Sequence, residues 1–507
     1  MIALYTVSEI RQIEQAALAT LPPGTLMQRA GQAAAHAALT LLSHQHQDGK
    51  VLILAGPGNN GGDALEAAHC LLQAGLSIYI VLHADATALP ADAHAAFQHV
   101  KNSAACFLGQ SDLLNSASDD WQLVIDGLFG IGLARPISDA IRTTIEQVNG
   151  FACPVLAIDV PSGLDADTGN IVGPNGIAVR ATHTITFIAD KPGLHTCHGR
   201  DYAGDVTVTD LHIEYRHFLR PNAFLNDVEL FEDRLHRRLH NSHKGSYGDT
   251  VVTGGARGMS GAPILAARAA AKCGAGRVFA AFVDEAPAYD SGQPELMCRL
   301  ASEINLPAAT RVIGPGLGTT DTAIDLLAKA LEADAPLVLD ADALNLIAAN
   351  SSMQQKLLQR KCSALITPHP LEAARLLGVS STAVQADRLA AARMLSSRYQ
   401  VITILKGSGT VIAHPDGRAV INTTGNPALA TAGAGDVLAG ICGALLAQDY
   451  PLWEAALAAV WLHGYAADEL VRHGIGPIGL TAGELIPAVR TALNQLTGRR
   501  KSLRQGS

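Results

Sequence analysis

Residues 51–63, Val-Leu-Ile-Leu-Ala-Gly-Pro-Gly-Asn-Asn-Gly-Gly-Asp, join an apolar run to a glycine-rich turn. The apolar residues 51–55 predict a strand buried on both faces, and a helical pattern follows over 63–73. Glycines in such a turn let a ligand approach the backbone, and the free N–H groups at a helix start attract phosphate. A plain turn with Asp63 as helix cap is the alternative. Two adjacent asparagines favour a ligand-binding loop.

The same alternation of strand and helix continues through the first half of the chain. Further buried strands are predicted at 77–82, 123–126, 154–159 and 184–188, with a helix at 138–148. A segment at 8–42 is also predicted to be largely helical, with a break at Pro22-Pro23-Gly24. This pattern predicts a Rossmann-like, doubly wound parallel sheet.

The regular pattern fades around residues 213–232, and a second α/β series follows. Its strands are predicted at 250–253, 278–282, 311–313, 337–340, 364–367 and 401–406, and its helices at 262–273, 370–377 and 436–446. The glycine motifs of the two halves differ, so we predict two α/β domains and not a repeat. We expect a first domain at 1–215, a linker at 216–231, a second domain at 232–498 and a basic tail at 499–507.

Composition argues against several classes of function. The net charge of −9 disfavours a general nucleic-acid binder. The first residues do not show the basic segment followed by an apolar segment that is typical of a signal peptide. No apolar run approaches the ~20 residues that a membrane-spanning helix needs. The eight cysteines form no CxxC pair, which favours reduced thiols. We therefore expect a cytoplasmic protein without a membrane or nucleic-acid partner.

Three aspartates lie at or near the ends of predicted strands in the first half. Asp126 precedes the glycine-rich residues 127–133, Asp159 begins Asp-Val-Pro-Ser-Gly-Leu-Asp, and Asp63 closes the first glycine turn. In an open parallel sheet, the carboxyl ends of the strands line the ligand crevice. Each aspartate alone could serve only a turn. Three at one sheet edge predict a polar binding site.

Segments 59–63, 126–133 and 159–165, with Thr168-Gly169 and Lys191-Pro192-Gly193, resemble the NAD(P)H-hydrate epimerase family over about residues 1–215. The resemblance implies an isomerase that acts on hydrated NAD(P)H, with Asp159 as acid/base residue. The residues implied to bind the hydrated dinucleotide are Asn59, Asn60, Gly61, Gly62, Asp63, Gly130, Ile131, Gly132, Leu133, Ala134, Arg135, Pro136 and Asp159. Potassium is implied at Asn60, Asp126 and Ser162. Ala64 stands where the family usually has a further glycine.

We infer from the sequence positions, and not from the resemblance, that Lys191 forms an ionisable pair with Asp159. Both are predicted at the ends of strands, and an ionisable pair there could shuttle protons while the configuration at C6 is lost and regained.

The second half contains the segment 426–436, Asn-Pro-Ala-Leu-Ala-Thr-Ala-Gly-Ala-Gly-Asp, before an apolar helix. Gly-x-Gly-Asp at a helix start surrounds an anion with N–H groups and places Asp436 beside it. A simple helix cap is the alternative. Segments 314–318, 367–370 and 406–410 also follow predicted strands, and the last offers more donors to a phosphate. Residues 243–249 either contact phosphates or lie on the surface, and the sequence favours neither alternative.

These segments resemble the ribokinase-like fold and, within it, the ADP-dependent NAD(P)H-hydrate dehydratase, over about residues 225–495. The resemblance implies phosphorylation of the C6 hydroxyl by ADP and then loss of phosphate, with magnesium on the nucleotide phosphates and Asp436 as base. The implied nucleotide-binding residues are Lys406, Gly407, Ser408, Gly409, Thr410 and Gly435. The implied contacts to the hydrated cofactor are Ala262, Gly316 or Gly318, His369 and Asp436.

The two resemblances together imply a bifunctional repair enzyme that epimerises the R and S forms of hydrated NAD(P)H and dehydrates the S form, giving AMP and phosphate from ADP. The alternative is a ribokinase-like kinase of a small hydroxymethyl substrate, fused to a non-catalytic binding module. A zinc hydrolase and a dehydrogenase are disfavoured, because no His/Cys spacing suits zinc and no Gly-x-Gly-x-x-Gly follows the first strand. Homo-oligomer formation stays open.

Overall fold

Two α/β units make up the chain, Ile2–Ala223 and Phe224–Ser507. The structure is a computed structural model that describes residues 1–42, 50–117, 120–215, 219–362 and 364–504. Both units contain a sheet of parallel strands with intervening helices, which confirms the predicted fold class. Within the described ranges, no helix is long and apolar enough to span a membrane.

The first unit contains a sheet whose neighbouring strands are all parallel. The strands of this sheet are β2 (Lys50–Ala55), β3 (Ser77–Leu82), β4 (Cys106–Phe107), β5 (Leu123–Gly127), β6 (Val155–Ile158), β7 (His183–Phe187) and β8 (Asp205–Thr209), and the short strand β1 (Ala3–Leu4) lies outside it. Its helices are α1 (Val7–Leu18), α2 (Thr25–Leu42), α3 (Asn59–Gln73), α4 (Ala91–Lys101), α5 (Gln110–Leu114), α6 (Asp139–Val148) and α7 (Gly199–Tyr202). The strand order is β4-β3-β2-β5-β6-β7-β8.

The order of this sheet reverses between β2 and β5, so a crevice opens at their carboxyl ends. Residues 51–55 of β2 are completely buried, as the apolar run predicts. Helix α2 approaches α3 closely at Gly31, where an added Cβ would lie 2.5 Å from Cβ of Glu66. Small residues at this contact therefore bring the start of α3 to the sheet edge.

The second unit contains a larger, mixed sheet. Its strands are β9 (Ala223–Leu225), β10 (Asp249–Gly254), β11 (Arg277–Phe282), β12 (Met297–Leu300), β13 (Thr310–Ile313), β14 (Leu337–Leu339), β15 (Ala364–Ile366), β16 (Ile402–Leu405), β17 (Val411–Ala413) and β18 (Ala419–Ile421). Its helices are α8 (Gly261–Lys272), α9 (Asp321–Glu332), α10 (Asp342–Ala349), α11 (Ser351–Leu358), α12 (Pro370–Leu377), α13 (Ser381–Ala386), α14 (Arg388–Tyr399), α15 (Ala434–Ala447), α16 (Leu452–Arg472) and α17 (Ala482–Arg504).

The strand order from β9 onward is β9-β18-β17-β16-β15-β14-β13-β10-β11-β12. Strands from β16 to β12 pair in parallel, whereas β17 pairs antiparallel with β16 and β18. The order reverses between β10 and β13, which again opens a crevice at the carboxyl ends.

Helix α15 is buried along most of its length. A Cβ added at Gly440 would lie 2.1 Å from the carbonyl oxygen of Ala266 in α8, and one at Gly443 would lie 2.4 Å from Val312 of β13. Close packing on both sides holds the start of α15 in place at the crevice.

The predicted starts of α3 and α15 are wrong. Helix α3 begins at Asn59 and not at residue 63, because Gly58 is extended and serves as N-cap. The asparagines and glycines expected in a loop therefore form the first turn of the helix. Helix α15 begins at Ala434 and not at residue 436, after Gly433 with a φ of 85°.

Some strands were not predicted, either because their residues are exposed or because the strand is too short to give a clear apolar run. Strand β8 has exposed and half-buried residues only, and β17 and β18 are short. The predicted linker at 216–231 contains β9 and the division between the units, and its residues 216–218 lie outside the described ranges. In the predicted basic tail, the backbone is helical to Arg504, and residues 505–507 lie outside those ranges.

Candidate active sites

The crevice of the first unit holds a cavity of about 450 Å³, a size suited to a small ligand. Its wall is formed by α1, the start of α3, the residues after β5, and Asp159 after β6. The predicted dinucleotide-binding residues that line it are Asn59, Asn60, Asp63, Gly130, Ile131, Gly132, Leu133 and Asp159. Among the described residues, Ala134, Arg135 and Pro136 are not part of this lining.

Gly61 and Gly62 serve packing. A Cβ at Gly61 would lie 2.0 Å from the carbonyl oxygen of Gly56, and one at Gly62 would lie 2.5 Å from the Met27 side chain. Within the turn 56–62, the glycine that borders the cavity is Gly58, together with Pro57. Only part of the glycine turn therefore leaves its backbone open to a ligand, while the other glycines allow close packing inside the protein.

Asp159 and Lys191 form a buried ion pair, with 2.9 Å between Nζ and Oδ1. Lys191 is fully buried and also donates to Thr186 Oγ1 at 2.6 Å and to the carbonyl oxygens of Phe187 and Ala189 at 3.0 and 3.2 Å. Among the described residues of the cavity wall, Asp159 is present and Lys191 is not. The structure therefore brings the predicted pair together, with only the carboxylate in contact with the cavity.

The backbone around Asp159 is held in an uncommon conformation. Its φ is 67°, in the left-handed region that Asp tolerates better than most residues. The Ile131 N–H donates to Asp159 Oδ2 at 3.2 Å. A Cβ at Gly130 would lie 2.9 Å from this oxygen, so glycine leaves the carboxylate its place beside the residues after β5.

Asp126 and Ser162 lie together below this cavity edge and are both completely buried. Asp126 accepts from Ser162 Oγ at 2.6 Å, from the Ser162 N–H at 2.8 Å and from the Leu128 N–H at 3.2 Å. Burial raises the pKa of Asp126 to about 6, although these hydrogen bonds act in the opposite direction. Two of the three predicted potassium ligands are therefore adjacent.

Asn60, the third predicted potassium ligand, is the second residue of α3. Its buried Nδ2 has no hydrogen-bond partner among the described residues. A half-turn of the amide would put the carbonyl oxygen at that position. Oxygen atoms from Asn60, Asp126 and Ser162 are of the donor type that suits a hard cation.

Three further residues with a carboxyl group line this cavity, Glu14 of α1, Asp63 of α3 and Asp92 of α4. Burial first, and then the Asp159 carboxylate, raises the pKa of Glu14. Burial and the neighbouring carboxylates of Asp159, Glu14 and Glu66 raise the pKa of Asp63 well above its usual value. Asp63 lies inside α3, so its predicted alternative role as the cap of that helix is wrong. Sequence reasoning missed Glu14.

The crevice of the second unit is bordered by the turn before α15. Gly433 has a φ of 85°, and Asp436 lies in the first helical turn. Burial, followed by repulsion from Asp340, raises the pKa of Asp436 to about 6. A Cβ at Gly435 would meet Lys406 Nζ at 3.4 Å, so the predicted nucleotide-binding segment and the glycine turn are neighbours.

Lys406 is held by a carboxylate that sequence reasoning did not select. Its Nζ lies 2.8 Å from Asp340 Oδ1 and 4.0 Å from Glu372 Oε2. Thr367 Oγ1 donates to the same Asp340 oxygen at 2.6 Å. Burial acts to lower the pKa of Lys406, but these carboxylates outweigh it and the pKa is raised. Asp340 was visible as the last residue of a predicted strand.

His369 is the N-cap of α12. Its Nδ1 accepts from the N–H groups of Leu371 and Glu372 at 3.0 and 3.3 Å, and its Nε2 lies 3.3 Å from Glu372 Oε1. Burial, followed by the charge of Lys406, lowers the pKa of His369. The ring thus caps α12, and its side chain is partly exposed.

The remaining predicted residues lie in turns, except Ala262, which is in the first turn of α8. Gly316 and Gly318 have positive φ, and the Gly318 N–H donates to Asp342 Oδ2 at 2.9 Å. A Cβ at Gly316 would be 3.3 Å from Cβ of Ala262, which places these two together. In the segment 406–410, Gly407 has a φ of 145°, and Thr410 Oγ1 donates to its carbonyl oxygen at 3.1 Å.

Two family models match the chain. A "YjeF-related protein N-terminus" model matches residues 23–193, and an "NAD(P)H-hydrate dehydratase" model matches residues 250–487. The bifunctional NAD(P)H-hydrate repair enzyme Nnr of Coxiella burnetii is 38% identical over 97% of this chain and 100% of its own. The Nnr protein of Vibrio cholerae is 37% identical over 97% of this chain and 98% of its own.

Among solved structures, the ADP/ATP-dependent NAD(P)H-hydrate dehydratase of Bacillus subtilis, co-crystallised with ATP and Mg²⁺, is 29% identical. That similarity covers 54% of this chain and 99% of the B. subtilis protein, with a TM-score of 0.47.

Proposed function

This chain belongs to the family of bifunctional NAD(P)H-hydrate repair enzymes, and on that premise we propose how its two sites divide the repair of hydrated NADH and NADPH. It is an epimerase and a dehydratase. A kinase fused to a non-catalytic module is not supported, because relatives that match 97% of the chain are named as repair enzymes. The observation that carries the division of labour is the presence of a separate acidic site in each unit: Asp159 with Lys191, and Asp436 beside its glycine turn.

The first unit interconverts the R and S forms at C6 of the hydrated ring. Asp159 faces the cavity and exchanges a proton with the substrate. Lys191 is a positioning residue, because its ammonium group is surrounded by four oxygen atoms and orients the carboxylate. The dinucleotide is bound by residues that line the cavity, namely Asn59, Asn60 and residues 130–133.

Potassium fits the oxygen atoms near the start of α3. We assign it to Asn60, Asp126 and Ser162, on the basis of the unpartnered amide of Asn60 and the buried carboxyl of Asp126. A bound cation would neutralise the buried carboxylate and favour its ionised form. It would also tie the residues after β5 to the first turn of α3, where the dinucleotide binds.

The second unit dehydrates the S form. Asp436 takes the proton of the C6 hydroxyl as that oxygen attacks the terminal phosphorus of ADP, releasing AMP. The phosphate ester then leaves C6 as inorganic phosphate, and the dihydropyridine ring is restored. The N–H groups at Gly435 and the Lys406 ammonium bind the phosphates, while Ala262, Gly316 or Gly318, and His369 contact the hydrated cofactor.

Magnesium fits this site through the nucleotide. Within the described part of the chain, no group of three His, Cys, Asp or Glu side chains is placed to hold a metal ion. Mg²⁺ usually keeps several waters and binds substrate phosphates with one or two carboxylates. When bound with ADP it neutralises charge on the transferred phosphoryl group. Asp340 and Asp342, which contact Lys406 and the Gly318 N–H, would supply the carboxylates to such a complex.

A cytoplasmic location is also part of the proposal, and it is supported by the eight cysteines, which form no CxxC pair.

The test is recovery of NADH from an R/S mixture of hydrated NADH, followed by absorbance of the dihydropyridine ring. With ADP, magnesium and potassium, both epimers should be consumed and AMP and phosphate should appear together. A stable phosphorylated product would support the kinase alternative. Faster turnover with ATP would change the phosphate donor and leave the dehydratase activity in place.

A further inference from the structure

Helix α1 presents one carboxylate to the cavity of the first unit. Ile10, Arg11, Glu14 and Leu18 line that cavity, so one face of the helix forms part of its wall. Glu14 lies four residues after Ile10 and next to the buried Ile13, on the side of α1 that packs against the protein. Partial burial of a carboxylate on such a face lowers the stability of the folded protein. Residues that are costly to stability in this way are typical of functional sites.

Glu14 has no hydrogen bond or ion pair with any part of the chain that the structure describes. The charged groups around it are Asp159, Arg11 and Lys191, and Asp63 faces it from α3. Burial and the Asp159 carboxylate both raise the pKa of Glu14, so the proton on this group is exchangeable closer to neutral pH. A side chain in this state is free to act on a ligand in the cavity.

Inversion at C6 needs proton transfer on both faces of the ring. The hydroxyl leaves one face as water after it accepts a proton, while the N1 lone pair forms the C6–N1 double bond. Water then adds to C6 from the opposite face and gives a proton to a base, and the electron pair returns to N1. One carboxyl group cannot reach both faces of a bound ring, so two are required.

We propose that Glu14 is the second acid/base residue of the epimerase and works on the ring face opposite to Asp159. The inference rests on the proposed role of Asp159. The two carboxyl groups reach the cavity from separate elements, α1 and the end of β6. In one direction Glu14 gives its proton to the departing hydroxyl and Asp159 receives one from the added water. In the reverse direction the roles exchange. Between turnovers in the same direction, Asp159 gives its proton to solvent and Glu14 takes one from solvent, so atoms and protons balance.

Lys191 and Asp63, the other two ionisable groups nearest Glu14 and Asp159, suit this role less well. Lys191 is fully buried, and its ammonium is held by four oxygens. Asp63 has a pKa raised well above its usual value by burial and by its carboxylate neighbours, so it favours the neutral acid. A neutral acid donates a hydrogen bond to the substrate but is a poor proton acceptor.

The experiment compares Glu14→Gln, Glu14→Asp and Asp159→Asn in the full chain, with Glu146→Gln as a control for loss of one negative charge on an exposed helix of the same unit. Conversion of pure R-hydrated NADH to the S form is measured as kcat and KM, with dehydration of the S form as a folding control. Epimerisation in ¹⁸O-water reports whether the hydroxyl leaves C6. We expect Glu14→Gln to lower kcat by roughly 100-fold or more, with KM changed little. Glu14→Asp should restore part of the rate.

If Glu14→Gln retains more than about a tenth of the kcat, or raises KM with kcat unchanged, Glu14 is not an acid/base residue. Absence of ¹⁸O in the epimerised product would also overturn the proposed step. A full-rate Asp159→Asn variant would refute the proposed site itself. Loss of activity in Asp159→Asn with an active Glu14→Gln variant would refute only the inference about Glu14.

Discussion

Replacing Asp436 by Asn should stabilise the second unit at alkaline pH while it abolishes dehydration. Burial and the nearby Asp340 raise the pKa of Asp436 from 3.8 to about 6. A difference of that size corresponds to at most about 3 kcal/mol, and partial exposure reduces the expected gain to about 1–2 kcal/mol. Asn removes the titrating charge and keeps the shape of the side chain.

The sign follows from proton binding. The folded protein holds the Asp436 proton more tightly than the unfolded chain, so the wild type loses stability as pH rises from about 4 through about 6. The advantage of Asp436→Asn should therefore be absent near pH 4, develop over that interval and stay constant above it. Over the same interval the wild-type dehydration rate should rise, because the base becomes ionised.

Scanning calorimetry of the full chain at about pH 4, 6 and 8 measures this difference. Asp325→Asn, at an exposed position of α9, is the matched control and should change neither stability nor rate. A stability gain that is equal at all three pH values would show that the carboxylate charge is not its cause. A variant that keeps more than about a tenth of the dehydration rate would show that Asp436 is not the base.

Three further variants test the other assignments. Asp159→Asn should stop conversion of the R epimer while the S epimer is still consumed; equal loss of both, measured by chromatography, would indicate unfolding or a shared site. ADP at a hundredfold excess over its dissociation constant should stabilise the wild type by about 2.7 kcal/mol, measured in a thermal melt. Gly435→Val should remove this stabilisation, because the valine side chain would enter the phosphate site beside Lys406. Asp126→Asn should cost about 1–3 kcal/mol, since its amide would face Ser162 donors, and should abolish any stabilisation by potassium relative to sodium.

The positions of the main strands and the strand-end residues could be predicted from sequence. Buried parallel strands are short apolar runs, and the glycine turns after them require few other residue types. This is why Asp126, Asp159 and the glycines before Asp436 were visible as site candidates. Edge strand β8 was missed because its residues are exposed and half-buried and give no apolar run.

The tertiary structure decided which groups meet and in which state. Glu14 lies far from Asp159 in sequence and Asp340 far from Lys406, and only the packing of α1 and the order of the strands bring each pair together. The same holds for the start of α3, where contact with Gly56 selects glycine at Gly61. Proton affinity depends on burial and on neighbouring charge, and both are properties of the folded chain. The local pattern therefore identified the chemistry that each strand end carries, while long-range packing determined which of these groups share a cavity.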